Sequence, residues 1–392
     1  PNSSVLLDET DWWLDRLLKN QASGELLELV RGQFAGIDAG LAAKQARRSE
    51  ELSVYTGLVN GRPEEMDPRQ SGQVMSASRI ETLAKCPFKY YLQYVLDVKP
   101  PQDFEYDPAS WLTVLERGKL LHSIFERYMK EWSAAGHSPL HSENIAWMER
   151  IAAEEIEKFE QQVAPSSLLL RELEIREILQ VCRNFLQLPC NNNVVVQLHC
   201  EVALASEAAG PLVFPLDQEQ SIRLQGSIDR IDEVEPGKYQ IWDYKTGGDK
   251  DYETCNYFKQ GKHIQPALYA AAWEEKNRIA DNSCEVTQCG YAFPGSKARR
   301  EQVVWQANRK AELKSLLKHL FDLVATGVFI PTPDKDNSYM CYNCDYCSVC
   351  AIDDGGHEVK SHHTAAIIIA KAQQKNPANA ERLAPWKDVQ LY

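Results

Sequence analysis

The stretch IWDYKTGG, residues 241–248, closes an apolar run with an aspartate, one spacer and a lysine, and then breaks into a threonine and two glycines. On a strand, side chains two apart share a face, so Asp243 and Lys245 project together while Tyr244 turns away. The sequence just before it, SIDRIDEVEPGKYQIWDYK, reads as a hairpin in which EPG forms a three-residue loop with Gly237 in the left-handed position. Pairing Val234 with Lys238 sets Asp229 opposite Asp243, so two carboxylates and an ammonium converge. Like charges held that close repel unless a cation lies between them. A hard divalent ion such as Mg2+ takes a few carboxylate oxygens and keeps waters, one of which can become a nucleophile. Lys245 beside that water could orient or deprotonate it and offset charge on a pentavalent phosphate. Such chemistry cuts phosphodiesters. Taken alone, D-x-K also recurs on solvated hairpin faces where acid and lysine pair weakly, so neighbouring residues carry weight. HIQPALY sets Gln265 and Tyr269 four apart on one helical face, and RGKLLHSIF sets His122 on an earlier helix between apolar flanks.

The elements needed to position these groups follow from periodicity. Residues 1–70 read as helical, and NGRPEEMDPRQSGQ (60–73) reads as a linker rich in Gly, Pro and charge. SASRIETLAKCPFKYYLQYVL opens in the manner of a capping box at Ser76 or Ser78. Residues 116–132, IAWMERIAAEEIEKFEQQV and LLLRELEIREILQVCRNFLQL are amphipathic helices, with little strand before about residue 190. The period then shortens: 193–204, 221–234 and 238–246 are expected strands, as are CEVTQCGYAF and REQVVWQ. HIQPALYAAAWEEKNRI returns to helix, and KAELKSLLKHLFDLVATG is a helix closed by Gly327.

The chain has 392 residues and a formal net charge of -13, which argues against an all-over grip on nucleic acid. A local basic patch could come from GSKARRE (295–301) or from Lys85 and Lys89. No apolar run approaches membrane-spanning length and no secretory leader pattern opens the chain, so a soluble, cytoplasmic protein is expected. The start at Pro1 suggests a piece of something longer. Of eleven cysteines, Cys182, Cys190, Cys200, Cys255, Cys284 and Cys289 sit among apolar neighbours and are expected to be buried thiols. Cys341, Cys344, Cys347 and Cys350 crowd into ten residues, which suits a metal or cluster in a reducing compartment. A local C-x2-C-x2-C-x2-C quartet could hold Zn2+, although zinc ribbons separate their pairs by a longer loop. As a ferredoxin-like run it falls one residue short before the fourth cysteine.

GKLLH, GSIDRID, IWDYKTG and QPALY, in this order, resemble the successive motifs of the RecB-type branch of the PD-(D/E)XK nucleases, over roughly residues 74–352. The resemblance implies an α/β restriction-endonuclease-like core, a mixed central sheet flanked by helices. It implies that Asp229 and Asp243 hold the metal, Mg2+ or Mn2+, with His122 as a further ligand. Lys245 would serve the attacking water, while Gln265 and Tyr269 support the site and contact DNA. The segment around Cys86, KCPFKYYL, resembles the start of the nuclease module in AddB-type helicase-nucleases. There one early and three late cysteines hold a 4Fe-4S cluster, a pattern that falls on Cys86, Cys341, Cys344 and Cys350 and leaves Cys347 over. Such a cluster would staple the module's two ends.

The expected organisation is a helical N-terminal segment and linker at 1–72, similar to the chain that precedes the module in AddB-type proteins. A nuclease domain with its Fe-S cluster follows at 73–355, then a tail at 356–392 in which AAIIIAKA could form a short helix. No G-x4-G-K-[ST] loop occurs, so ATP hydrolysis is not expected within this sequence. The expected activity is metal-dependent DNA cleavage, exonucleolytic on single strands, in a DNA-repair helicase-nuclease. The strand would be fed by a helicase partner or by a helicase-like portion of the same chain. The rival is a catalytically inactive scaffold that binds DNA ends and keeps a structural Fe-S or zinc site.

Overall fold

The computed structural model describes residues 12, 24–34, 36–48, 52–100, 109–136, 144–205, 210–252, 254–331, 344–350 and 377–392. Its strands are β1 (Val74–Met75), β2 (Gln197–Ala203), β3 (Leu212–Pro215), β4 (Ser221–Leu224), β5 (Ser227–Glu235), β6 (Lys238–Tyr244), β7 (Glu285–Ala292) and β8 (Gln302–Gln306). The principal helices are α1 (Ala77–Lys85), α2 (Val114–Ala134), α3 (Ile145–Glu160), α4 (Leu168–Leu186), α5 (Gln265–Ile279) and α6 (Lys310–Ala325).

The central sheet has the order β2-β5-β6-β7-β8 and is mixed: β6 and β7 run parallel, and every other neighbour is antiparallel. Parallel pairing requires a crossover, which α5 supplies between β6 and β7. A smaller sheet, β1-β4-β3, packs beside it. Because helices cover both faces, β5 and β6 read as buried runs rather than alternating ones. Trp242 and Tyr244 face a layer built from α2, α3 and α4 around Phe125, Tyr128, Ile151 and Phe185. Ile231, Ile241 and Cys289 face the opposite layer, with Leu268 of α5 and Leu316, Leu320 and Phe321 of α6.

Register follows the hairpin. Arg230 pairs with Trp242 and Ile231 with Ile241, so Asp229 stands opposite Asp243. Gly237 takes φ +76°, but the turn is tighter than three residues: Glu235 pairs with Lys238, and a bulge between Glu233 and Glu235 absorbs the extra residue. Gly226, at φ +154°, splits the expected 221–234 strand into β4 and β5. β3 lies outside every expected strand; its Leu212 and Phe214 are buried.

Two expectations about the N-terminal part need correction. Residues 60–73 are not an extended linker but carry short helices, Pro63–Met66 and Pro68–Ser71, with Met66 and Asp67 buried. Arg69 fastens them, bridging Asp67 and Asp322 of α6 at 2.7 Å each. Composition alone does not show that anchoring. Ser76 does cap α1 by accepting from Arg79 N, but an arginine in the third position cannot complete the box. The reciprocal box occurs instead at Thr113 and Glu116, where it starts α2. Residues 377–392 are also structured: Leu383 and Trp386 pack with Leu52, Leu323, Val328 and Ile330. AAIIIAKA and most of DETDWWLDRLLKN lie outside the described residues, whereas 24–48 forms two helices, Gly24–Gln33 and Ile37–Arg48.

Behind the sheet, Arg230 is 1 % exposed and fully engaged. It donates to Asp232 at 2.6 Å, to the Cys190 carbonyl at 3.1 Å, to Asn191 Oδ1 and to the Tyr244 hydroxyl at 3.4 Å. Burial pushes the Cys190 thiol beside it up to about 11. Cys182, Cys190 and Cys289 are buried, Cys200 and Cys284 half-buried, and Cys255 exposed, contrary to expectation. Cys255 sits in a loop whose apolar anchors are the next aromatics, Tyr257 and Phe258.

Candidate active site

The site forms where the C-terminal end of β6 meets α2, α5 and the start of β5. Asp243 is 1 % exposed, and its Oδ2 lies 2.6 Å from Lys245 Nζ. That oxygen makes no conventional hydrogen bond; the contact is an ion pair. Lys245 Nζ donates to Gln265 Oε1 at 2.9 Å, and Gln265 Nε2 lies 3.5 Å from the Tyr269 hydroxyl. The Tyr291 ring lies 5.4 Å from the same ammonium. Burial works against charge on Lys245, but Asp243 outweighs it and holds the ammonium above its ordinary pKa. Burial pushes the Tyr269 hydroxyl up.

Asp229 Oδ2 accepts the Tyr244 N–H at 2.8 Å. Its other oxygen lies 3.7 Å from His122 Nδ1, which is also 3.7 Å from Glu201 Oε1. His122, Glu201 and Asp229 each offer a ligand atom within 4.8 Å of the others. Burial pulls the His122 imidazole down, yet Glu201, Asp229 and Asp243 together carry it above its ordinary value. Burial first, and Asp243 second, push the Asp229 carboxyl up to about 7. His122, Glu201 and Asp229, with the buried Asp243 carboxylate nearby, make a nitrogen and oxygen donor set that suits a hard divalent cation.

Glu201 is a site residue that strand alternation does not reveal. It takes φ +49° inside β2, a conformation that costs a non-glycine residue on the order of 1 kcal/mol. This left-handed step reverses the faces of its neighbours: Cys200 packs toward the α2–α4 layer and Val202 toward the opposite one. Simple alternation therefore misplaces Glu201, and the Ser227 hydroxyl holds its Oε2 at 2.8 Å. Glu81 is likewise silent in the sequence. Its Oε1 accepts both Ile264 N at 3.0 Å and Gln265 N at 3.2 Å, capping the helix that presents Gln265. Only the fold brings it there.

The profile of the PD-(D/E)XK nuclease superfamily matches residues 74–351, well over half of the chain. The chain belongs to the PD-(D/E)XK nuclease superfamily. The chain is 26% identical over 248 residues to an ATP-dependent helicase/deoxyribonuclease subunit of Clostridioides difficile, covering 58% of this chain and 20% of that protein. It is 27% identical over 232 residues to the protein of the same name from Acetivibrio thermocellus, covering 54% and 18%. A third relative of that name, from Alkaliphilus metalliredigens, is 25% identical over 267 residues, covering 62% and 22%. The chain thus spans about a fifth of the length of these relatives. Among the described residues, no helix is long and apolar enough to cross a membrane.

The Asp229 shift has a measurable consequence in the metal-free protein. The folded state holds this proton more tightly than the unfolded chain, whose carboxyl titrates near 3.8. The stabilising contribution is therefore complete below pH ~4 and disappears as pH rises through about 7. Thermal melts of metal-free Asp229→Asn and wild type should diverge over that window, with the variant gaining relative stability as pH rises. Parallel curves would contradict the crowded-acid geometry.

The cysteine segments also meet. Cys86 caps the short helix Pro87–Tyr90, its Sγ accepting Lys89 N at 3.4 Å. The Tyr346 hydroxyl donates to the Val98 carbonyl at 2.7 Å, and Lys89 Nζ lies 3.9 Å from Asp345. Cys344 and Cys350 are half-buried in that late segment; Cys341 and the Cys347 side chain lie outside the described residues.

Proposed function

We propose that this chain is the metal-dependent deoxyribonuclease part of a DNA-repair helicase-nuclease. The convergence of His122, Glu201 and Asp229 within 4.8 Å, beside the Asp243–Lys245 pair, carries the reading. His122, Glu201, Asp229 and Asp243 would hold Mg2+ or Mn2+. A bound cation of this kind neutralises charge on the scissile phosphate and lowers the pKa of a coordinated water. Lys245, held by Asp243 and Gln265, orients the attacking water and offsets charge that builds on the phosphorus oxygens. Tyr269 closes behind Gln265. Its hydroxyl lies 3.0 Å from where a Cβ on residue 226 would sit, and the backbone there takes φ +154°, so glycine is favoured at the start of the GSIDRID motif.

The relatives' names support a DNA substrate and a helicase that delivers it. Delivery of a single strand, trimmed from an end, fits a protein of net charge -13 that need not capture DNA unaided. A cytoplasmic setting fits the buried, unbridged thiols of Cys182, Cys190 and Cys289. The test is cleavage of end-labelled single-stranded and duplex DNA in Mg2+, in Mn2+ and in chelator. Metal-dependent loss of the single-strand label supports the reading. No cleavage in either metal would favour the inactive end-binding scaffold.

Cys86, Cys341, Cys344 and Cys350 are the ligands we assign to a 4Fe-4S cluster. The support is that the Cys86 and Cys344–Cys350 segments lie side by side. A bound cluster would act as a staple. Protein purified without air should be brown, carry about four irons, and lose both iron and several degrees of Tm on Cys86→Ser. Colourless protein with stoichiometric zinc would overturn the assignment.

A further inference from the structure

β6 and β7 are parallel, so their C-terminal ends emerge at the same edge of the sheet, where ligands of such sheets bind. The turn after β6 carries Lys245; the loop after β7 carries GSKARRE, residues 295–301. The two are in backbone contact. A Cβ built on Gly295 would fall 2.3 Å from the Thr246 carbonyl oxygen, so only glycine permits this approach. Asp249, 5 % exposed, locks them together. Its Oδ1 accepts Arg299 N at 2.9 Å, and its Oδ2 lies 3.9 Å from Arg300 Nε. Arg300 also donates to the Tyr252 carbonyl, and Asn184 Nδ2 holds the Pro294 carbonyl at 3.1 Å.

The loop's backbone is therefore fixed while its cationic side chains remain available. Lys297 and Arg299 are exposed, as is Lys250 across the turn. Among the described residues, no acid pairs with Lys297 or Arg299. Of the nearby acids, Asp249 is engaged with the loop and Asp251 with Lys259 at 3.8 Å, and exposed Glu301 closes the segment. In a chain of net charge -13, a rigid cationic rim beside the catalytic lysine is a local reversal of sign.

We propose that residues 295–301 form a clamp for the phosphate backbone of the strand being cut, with Lys297 and Arg299 taking phosphates that flank the scissile one. The proposal rests on the nuclease reading above and names the surface that positions its substrate. The clamp reads no sequence, because phosphate contacts position a strand without specifying bases.

The test is binding of a fluorescent oligothymidylate to the full chain in chelator, titrated across salt concentrations. Lys297→Ala with Arg299→Ala should lower the slope of log affinity against log salt by about 1.4, since each phosphate contact on a single strand contributes about 0.7. In Mg2+ the same variant should raise KM and hold kcat. Arg382→Ala, in the helix Pro377–Arg382, should leave the slope unchanged. Asp249→Ala separates a clamp from diffuse attraction. Removing an acid by charge alone would tighten DNA binding, whereas freeing the loop should weaken it. An unchanged slope in the double variant, an equal loss in Arg382→Ala, or tighter binding by Asp249→Ala would each overturn the clamp. Wild-type cleavage of the same oligonucleotide judges the nuclease reading separately.

Discussion

Asp243→Asn is expected to lose metal-dependent DNA cleavage by on the order of 10³-fold while remaining folded, because divalent-cation catalysis contributes several kcal/mol of transition-state charge stabilisation. The amide keeps the volume of a side chain that is 1 % exposed, so packing is preserved. It removes the charge that lies 2.6 Å from Lys245 Nζ and the oxygen that has no other conventional partner. Lys245 keeps its contact with Gln265 at 2.9 Å, which separates loss of the acid from collapse of the lysine. Cleavage rates in Mg2+ and Mn2+, with circular dichroism and melts as fold controls, decide the matter. Wild-type rates from the variant would remove Asp243 from the mechanism.

Arg230→Ala should destabilise the fold by about 3–5 kcal/mol, because truncating one partner of a buried ion pair leaves the other charge uncompensated. That charge is Asp232, whose side chain is 0% exposed. Burial already raises its pKa, and Arg230 opposes that rise. In a domain of this size the loss corresponds to roughly 10 °C in Tm. Replacing both partners with apolar residues of similar volume, Arg230→Met with Asp232→Leu, should recover much of it, which a double-mutant cycle would measure. A drop below about 1 kcal/mol in the single variant would show that solvent reaches Asp232. Arg230 also touches the Tyr244 hydroxyl, and Tyr244 holds Asp229 through its own N–H. The strand that presents one active-site acid is thus braced from behind by the residue next to the other.

Sequence pattern suffices where geometry is local. The D-x-K spacing and the four-residue interval between Gln265 and Tyr269 each fix relative placement through strand or helix period. The hairpin register places Asp229 opposite Asp243 because the bulge between Glu233 and Glu235 offsets a turn one residue shorter than the sequence suggests. Glu201 is hidden because its left-handed backbone breaks the alternation from which a strand's faces are read. Glu81 is hidden because its partners lie on another helix. The 60–73 segment misleads because Pro, Gly and charge have the composition of a solvated linker, whereas buried Asp67 and Arg69 pin it to α6. Cys255 misleads in the opposite sense, since apolar neighbours in sequence do not guarantee burial. The cysteine pattern points to a metal centre but does not specify its kind, because thiolates serve zinc and iron alike.

The cap that Glu81 places on α5 spans 184 residues of sequence. A chain in which the sheet has formed but α1 has not docked would hold the acids in place while Gln265, and the lysine it steadies, remained unanchored. The proposed cleavage is thus tied to the slowest class of contact to close during folding, and a half-folded copy would hold an incomplete site.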